Sequence, residues 1–441
     1  EAQNGDTVQL KIIGQPKKCD EAKARVRQRI AFEKQKTLRH EFGGDKHFVS
    51  FAFENENETF RLKPCDSAPV FDDFIQRQRY RIETKLDNGD DDDDDDDDYM
   101  QGEISDETIS DIKDQLRTPL QNLITLKEEK QLLADLWCHF GKAFVSCVDE
   151  ELIKDTFTPT EIKTRIKKLT SQPMPQNQEK DDHWRVSFEE GIDPEDINDS
   201  QLPKSKDGSH GILGLKLVHT QWRYDFGFTT PTCRSVRLKV WEGLPPGSDE
   251  PPIEVKNILR RVFLHGMQDI NAWLCYPSVS VLRGEIIAPN LQYDCRMKLR
   301  AGSRYVAVQE SDISEDDILS EYVSSCKLDR ESHCMHLPDE NGHEIPEGFD
   351  CVFYREAKEI MYEATFDEET FIVIVLDENG WDSDSCKKRK KKQFGIRVVM
   401  KSWSEAMLSS ERHWNPEQIL QKLKNYIDFL SSLQSYLFEM M

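Results

Sequence analysis

Nine consecutive aspartates, Asp90 to Asp98, set the first limit on how this chain can fold. Adjacent like charges repel and hold the backbone extended and hydrated, so the run fits no packed helix or strand. It reads as a linker between an N-terminal piece and the rest of the chain. Its nine negative charges are a large part of the net −24 of the 441-residue chain. The remaining charge is segregated too. Residues 8–40 carry ten Lys or Arg against three Asp or Glu, an excess of seven positive charges. Lys387, Lys388, Arg389, Lys390, Lys391 and Lys392 form a second basic block, which reads as a nuclear-import signal or a patch for an anionic partner.

Apolar residues make up 37% of the chain and charged residues 32%. That is poorer in apolar and richer in charged residues than a usual globular composition of about 45–50% and about 25%. The expectation is compact domains joined by solvated segments. The length allows two to four domains. No stretch of about 18 apolar residues occurs, so no membrane helix is expected. The first residues are polar, unlike a signal peptide, and the absence of an initial Met suggests a start inside a longer protein. Eleven scattered cysteines, an odd number, argue for free thiols in a reducing compartment, nucleus or cytoplasm ahead of the mitochondrion.

Polar breaks divide the chain further. They fall at the aspartate run, at Ser171 to His183 with Pro173 and Pro175, and at Asp193 to Gly211. The segment 104–170 reads as helical. Ile109, Ile112, Leu116, Leu120, Leu123, Ile124, Leu133, Leu136, Trp137 and Phe140 recur at three- and four-residue spacing, with a break near Pro119. Thr158-Pro159-Thr160-Glu161 has the form of a capping box. Asn415-Pro416 opens a terminal helix with Ile419, Leu420, Leu423, Ile427, Leu430, Leu433 and Leu437 on one face. Between 184 and 403 short runs rich in Val, Ile, Phe and Tyr predict strands, such as Ser235 to Trp241 and Phe371 to Leu376, interrupted by one helix over Ile253 to Trp273. Trp222 to Trp241 and Ala357 to Leu376 share a plan of aromatic strand, turn and β-branched strand.

Residues 7–31 carry the most specific pattern. Val8, Leu10 and Ile12 alternate as in a half-buried strand; Gly14-Gln15-Pro16 is a turn; Ala22, Val26 and Ile30 form a helical stripe. Lys11, Lys17, Lys18, Lys23, Arg25, Arg27 and Arg29 lie off that stripe. The pattern Ile13-Gly14-Gln15-Pro16 followed by Ala22, Val26 and Ile30 resembles the closing strand and helix of a KH domain, over about 25 residues. The resemblance implies single-stranded RNA as partner, gripped elsewhere in that family by a GxxG loop. That loop would lie before Glu1. The matches Gly208 to Gly211 and Gly211 to Gly214 follow a polar loop and read as turns, so no KH contact residue transfers. A fainter likeness, in the order of Leu136 to Lys142 and the later aromatic strands, is to fungal regulators of mitochondrial gene expression.

Other constellations are poorer. Cys326, His333, Cys334 and His336 lack the usual zinc spacing. No Walker loop, G-x-S-x-G, H-E-x-x-H or Rossmann fingerprint occurs. Glu315-Asp316-Asp317 and Asp72-Asp73 read as solvated surface, and Trp222, Tyr224 and Phe226 as buried strand aromatics. The fold class expected is α+β: an N-terminal KH-like fragment (1–35), a connecting region (36–85), an acidic disordered linker (86–103), a helical segment (104–170), then a mostly antiparallel α+β domain (184–441) with a C-terminal helix. The function expected is a non-enzymatic RNA-binding adaptor in post-transcriptional regulation, without metal or cofactor. Its RNA contacts would be Lys11, Lys17, Lys18, Lys23, Arg25, Arg27 and Arg29. Protein partners would use the helical segment and the C-terminal domain. The alternatives are a protein-interaction scaffold without RNA contact, or an enzyme whose site assembles from dispersed residues of the β-rich domain.

Overall fold

Leu136, Cys138 and Phe140 alternate with Trp137 and His139, and this two-residue period wins over the helical one. In the computed structural model Leu132–Cys147 is one sixteen-residue strand, β5. The described residues lie between Ile12 and Phe438, with breaks of which the longest are 31–45, 85–105, 171–184, 243–258 and 383–392. The aspartate run and the basic block 387–392 fall in those breaks and lie outside the described residues.

β5 is the hinge of a fifteen-stranded sheet. Its neighbours there are β12 (Asp294–Ser303) and β17 (Gln393–Met400). β12 pairs with β11 (Ser280–Ala288), which takes β1 (Lys46–Phe51) as a parallel edge partner. On the other side β17 leads to β16 (Glu369–Asp382), β15 (Asp350–Phe366), β7 (Lys216–Thr229), β8 (Ser235–Glu242), β10 (Asn271–Cys275) and β9 (Leu259–Val262), all antiparallel. The far end of β5 pairs with β4 (Ile75–Thr84) and β6 (Arg185–Glu189). β2 (Phe60–Pro64) and β3 (Val70–Asp72) pair with β4. A small ribbon, β13 (Lys327–Asp329) with β14 (Cys334–His336), stands apart.

This sheet corrects the expected fold class. The helical segment contains the central strand, and residues 46–84 contribute strands that pair with β5 and β11 instead of merely connecting. β5 escapes the sequence reading because both its faces carry bulky side chains, and a two-sided apolar run satisfies either period. The helix expected over Ile253 to Trp273 is, among the described residues, two strands and a turn. Gly266 sits there at φ +76°, which breaks a helix at no steric cost to glycine.

One face of the sheet is apolar and covered. Leu136, Cys138, Phe140, Leu299, Val398, Met400, Phe371 and Val373 pack under α1 (Asp106–Lys130), α4 (Lys401–Leu408), α5 (Pro416–Gln421) and α6 (Leu423–Phe438). The expected stripes are there: Ile109, Ile112, Leu116, Leu120 and Leu123 of α1 are buried, and so is the face of α6, where Phe429 stacks on Phe371 at 4.0 Å. α1 runs on through Pro119 without ending. Asn415 caps α5 by accepting from Glu417 N–H at 3.0 Å. A second core joins Phe226, Phe228, Leu238 and Val240 to Leu319, Tyr322 and Val323 of α3 (Glu310–Ser324). Glu315 of α3, expected on the surface, is buried and accepts from Thr232 N–H and Oγ1, both at 2.8 Å. Tyr224 and Phe226 are buried as expected.

The capping box closes at the start of α2 (Pro159–Thr170): Thr158 N–H donates to Glu161 at 3.0 Å, and Glu161 N–H donates to Thr158 Oγ1 at 3.2 Å. α2 lays Ile162 on the third core, with Phe51, Phe60 and Phe157. Thr158→Ala is expected to cost about 1 kcal/mol, read as a lowered urea midpoint with unchanged slope.

Candidate functional site

Strand alternation that buries one face must point the other residues away from it. In β12 the sequence Cys295-Arg296-Met297-Lys298-Leu299-Arg300 sends Met297 and Leu299 into the core and three cations to the opposite face. There Arg296 lies across from His139 and Lys298 across from Trp137 on β5, while Glu285 of β11 faces Lys298. Arg397 of β17 faces His139 from the other side. Four adjacent strands therefore bring Arg283, Glu285, Arg296, Lys298, Trp137, His139 and Arg397 onto one surface. Glu190, just beyond β6, reaches it as well.

The central polar groups are buried, while Arg283 and Glu190 at the margin are partly exposed. Arg296 is 4% exposed and Glu285 5%. Arg283 Nη2 donates to Glu285 Oε1 at 2.6 Å, and Arg296 Nη1 reaches Glu285 Oε2 at 3.4 Å. Arg296 Nη2 also donates to Glu190. Arg296 lies over the Phe188 ring at 4.3 Å, and Arg397 and Lys298 over Trp137 at 4.7 and 5.6 Å. Arg296 Nε is buried and meets no acceptor among the described residues. An unmet buried donor of a charged group is costly, and such a group is where a ligand acceptor is most strongly rewarded.

The field arises from this arrangement. Burial pushes the Lys298 ammonium down to about 8, aided by Arg296 and Arg283, and Glu190 and Glu285 only partly oppose them. Burial also lowers His139 well below its ordinary value, with Arg397, Arg296 and Lys298 adding to it. The ring is neutral at pH 7 and accepts from Trp137 Nε1 at its Nε2, which places its proton on Nδ1, 3.7 Å from Glu190. Burial works to raise the Glu285 carboxyl, but Arg296 and Arg283 outweigh it and hold it below the usual range. At Lys298, then, cations and desolvation outweigh the carboxylates. An arriving anion would reverse that balance.

Of the basic side chains expected to bind RNA, the described ones, Lys18, Lys23, Arg27 and Arg29, are not brought to this surface. Lys11, Lys17 and Arg25 lie outside the described residues. The described positions between Pro16 and Ile30 are helical; Lys18, Lys23 and Arg29 are exposed on them. Arg27 pairs with Asp350 at 2.5 Å, so one of the seven cations serves to dock the segment. Ile13 is 83% and Ile30 42% exposed, so these two apolar side chains remain largely uncovered. Of the strand expected at Val8 to Ile12, only Ile12 is described, and it is not in a strand.

Other candidates carry less. Cys326 is buried in the second core, His333 stacks flat on Trp222 at 4.1 Å, and Cys334 and His336 lie on β14. Among the described residues no group of three His, Cys, Asp or Glu is placed to hold a metal ion. A cleft of about 460 Å³ is lined by Arg61, Lys63, Lys154 and Asp155. Its cations are paired with Glu83 at 3.1 and 3.4 Å and Glu161 at 2.9 Å. No helix among the described residues is long and apolar enough to cross a membrane.

No family model matches the chain, and no curated protein matches it. Among solved structures it is similar to the Pct1 RNA triphosphatase of S. pombe, at 10% identity and a TM-score of 0.33, over 75% of this chain and 94% of that one. The same enzyme in complex with the Spt5 CTD gives 13% identity and a TM-score of 0.31, over 76% and 93%.

Proposed function

We propose that the chain is an RNA-binding adaptor whose single-stranded RNA lies on the charged strand face, not on the basic N-terminal helix. The observation that carries this is the buried Arg296, with an unmet Nε, beside a Lys298 whose surroundings favour loss of its proton. Phosphate supplies acceptors and negative charge together. Phe188, half-buried beside Arg296, is the ring a base can reach, while the buried Trp137 backs Lys298 and Arg397. The face is local: the overall charge of −24 opposes long-range attraction, so binding depends on close contacts and tolerates little salt. A role in post-transcriptional regulation is part of this proposal.

The test is fluorescence anisotropy with an RNA of about twelve nucleotides containing only A and C, within the usual site sizes of about 4–16. The bound phosphate raises the Lys298 pKa, so binding takes up a proton when the free protein has lost it. Affinity is therefore full below pH 8 and falls as pH rises above it, by at most about tenfold per unit for one proton. A profile flat from pH 7 to 9 would remove Lys298 from the site. Release of phosphate from the RNA during the titration would contradict the adaptor reading.

A further inference from the structure

The same strand face carries a second cation–aromatic group. Register relates the two: Arg397 faces Ile374 on β16, and Phe353 of β15 faces Asp382, eight residues further along β16. At about 3.4 Å per residue that is about 27 Å along the strand. Phe353 lies opposite Gly227 of β7, and a Cβ at Gly227 would meet the Phe353 ring at 2.2 Å. Glycine is what lets the ring lie against the backbone there. The guanidinium groups of Arg237 and Arg355 stand 5.1 and 5.5 Å from the ring centroid. Both side chains are accessible, 41% and 52% exposed. Their carboxylate neighbours, Asp225 and Glu378, are at 3.7 and 3.6 Å, beyond hydrogen-bond length.

We infer that Phe353, Arg237 and Arg355 form a second nucleotide subsite, which takes one base by stacking and its phosphate by the guanidinium pair, so that a bound RNA reaches from Arg296 to Phe353. Flat aromatic and guanidinium surfaces suit any base, and a phosphate fits the forked donors better than the loosely placed carboxylates do. Between the two groups Arg223 is held by Glu359 at 2.5 Å and Glu378 at 3.6 Å, which neutralises the intervening carboxylates in part. This rests on the RNA reading above.

The experiment compares the A/C oligomer of about twelve nucleotides with an A/C trinucleotide, which is too short to span both groups. Arg355→Gln and Gly227→Ala, the second displacing the ring, are each expected to weaken the long RNA about five- to tenfold and leave the trinucleotide unchanged. Phe353→Leu keeps an apolar cover over Gly227 and should do the same if stacking matters. Equal weakening of both lengths, or of neither, overturns the second subsite. If Lys298→Met still weakens both lengths, the first reading stands without it; if Lys298→Met changes neither, that reading fails as well. Weakened binding of a poly-aspartate peptide with RNA unaffected would assign the group to a protein partner and overturn the inference.

Discussion

Lys298→Met is expected to leave the protein as stable as before or more stable at pH 7, while weakening RNA binding about tenfold, the worth of one charge-assisted contact. The two effects have one cause. Lys298 is charged at neutral pH only against burial and the fields of Arg296 and Arg283, which push it down to about 8. Its folded-state pKa lies below its unfolded value, so the unfolded chain binds more protons between about 8 and about 10.4. The charged lysine therefore destabilises the fold below pH 8, and that penalty fades as pH rises above it. Its ion-pair partner among the described residues is Glu190 at 3.9 Å, too long to be worth much. Methionine keeps the stem packed over Trp137 and removes the penalty. The readouts are a urea midpoint that does not fall, an anisotropy titration that weakens, loss of the pH dependence above 8, and a log–log salt slope smaller by about 0.7. A variant that loses stability and binding together would make Lys298 structural.

Glu285→Ala should have the largest effect on stability, about 3–5 kcal/mol. It leaves the 4%-exposed Arg296 with one carboxylate fewer and strips Arg283 of both its short bonds. Replacing Arg296 as well, as Glu285→Leu with Arg296→Met, should recover most of the loss, because an apolar pair of similar volume leaves no uncompensated charge. The same network predicts acid sensitivity. Glu285 is held below its ordinary range, so its contribution is complete above the unfolded-state carboxylate pKa of about 4.3 and is lost as pH falls through that value and on through the lowered one. Chemical denaturation across pH checks both: the single variant should be the least stable at neutral pH and should show the smaller loss on acidification.

Elements with one buried face were legible in the sequence. Ser235 to Trp241 alternates cleanly, Phe371 to Leu376 is a short run of Phe, Ile, Val and Leu, and both are strands; the Thr158 box and the Asn415 cap are helix starts. β5 was not, because Trp137 and His139 on its polar face are as bulky as Leu136 and Cys138 on the other. The charged face was missed for a related reason. Arg296, Lys298 and Arg300 alternate with Met297 and Leu299 and are a signal in plain view. In a strongly acidic chain such cations read as solvated surface, and nothing in one sequence reveals that four strands lay them beside Glu285 and His139. The basic N-terminal segment stands out in the sequence because its charges lie close together along the chain. Contiguity along the chain is a poor guide to convergence in space, as Arg27 spent on Asp350 illustrates.

The central claim, that RNA lies on the β5–β12 face, is tested most directly by photo-crosslinking the full chain to a short single-stranded RNA and mapping the modified peptides by mass spectrometry. The account predicts crosslinks within Trp137 to His139 and Arg296 to Lys298, lost on competition with unlabelled RNA. Crosslinks confined to Pro16 to Ile30, with none on β5 or β12, would contradict it.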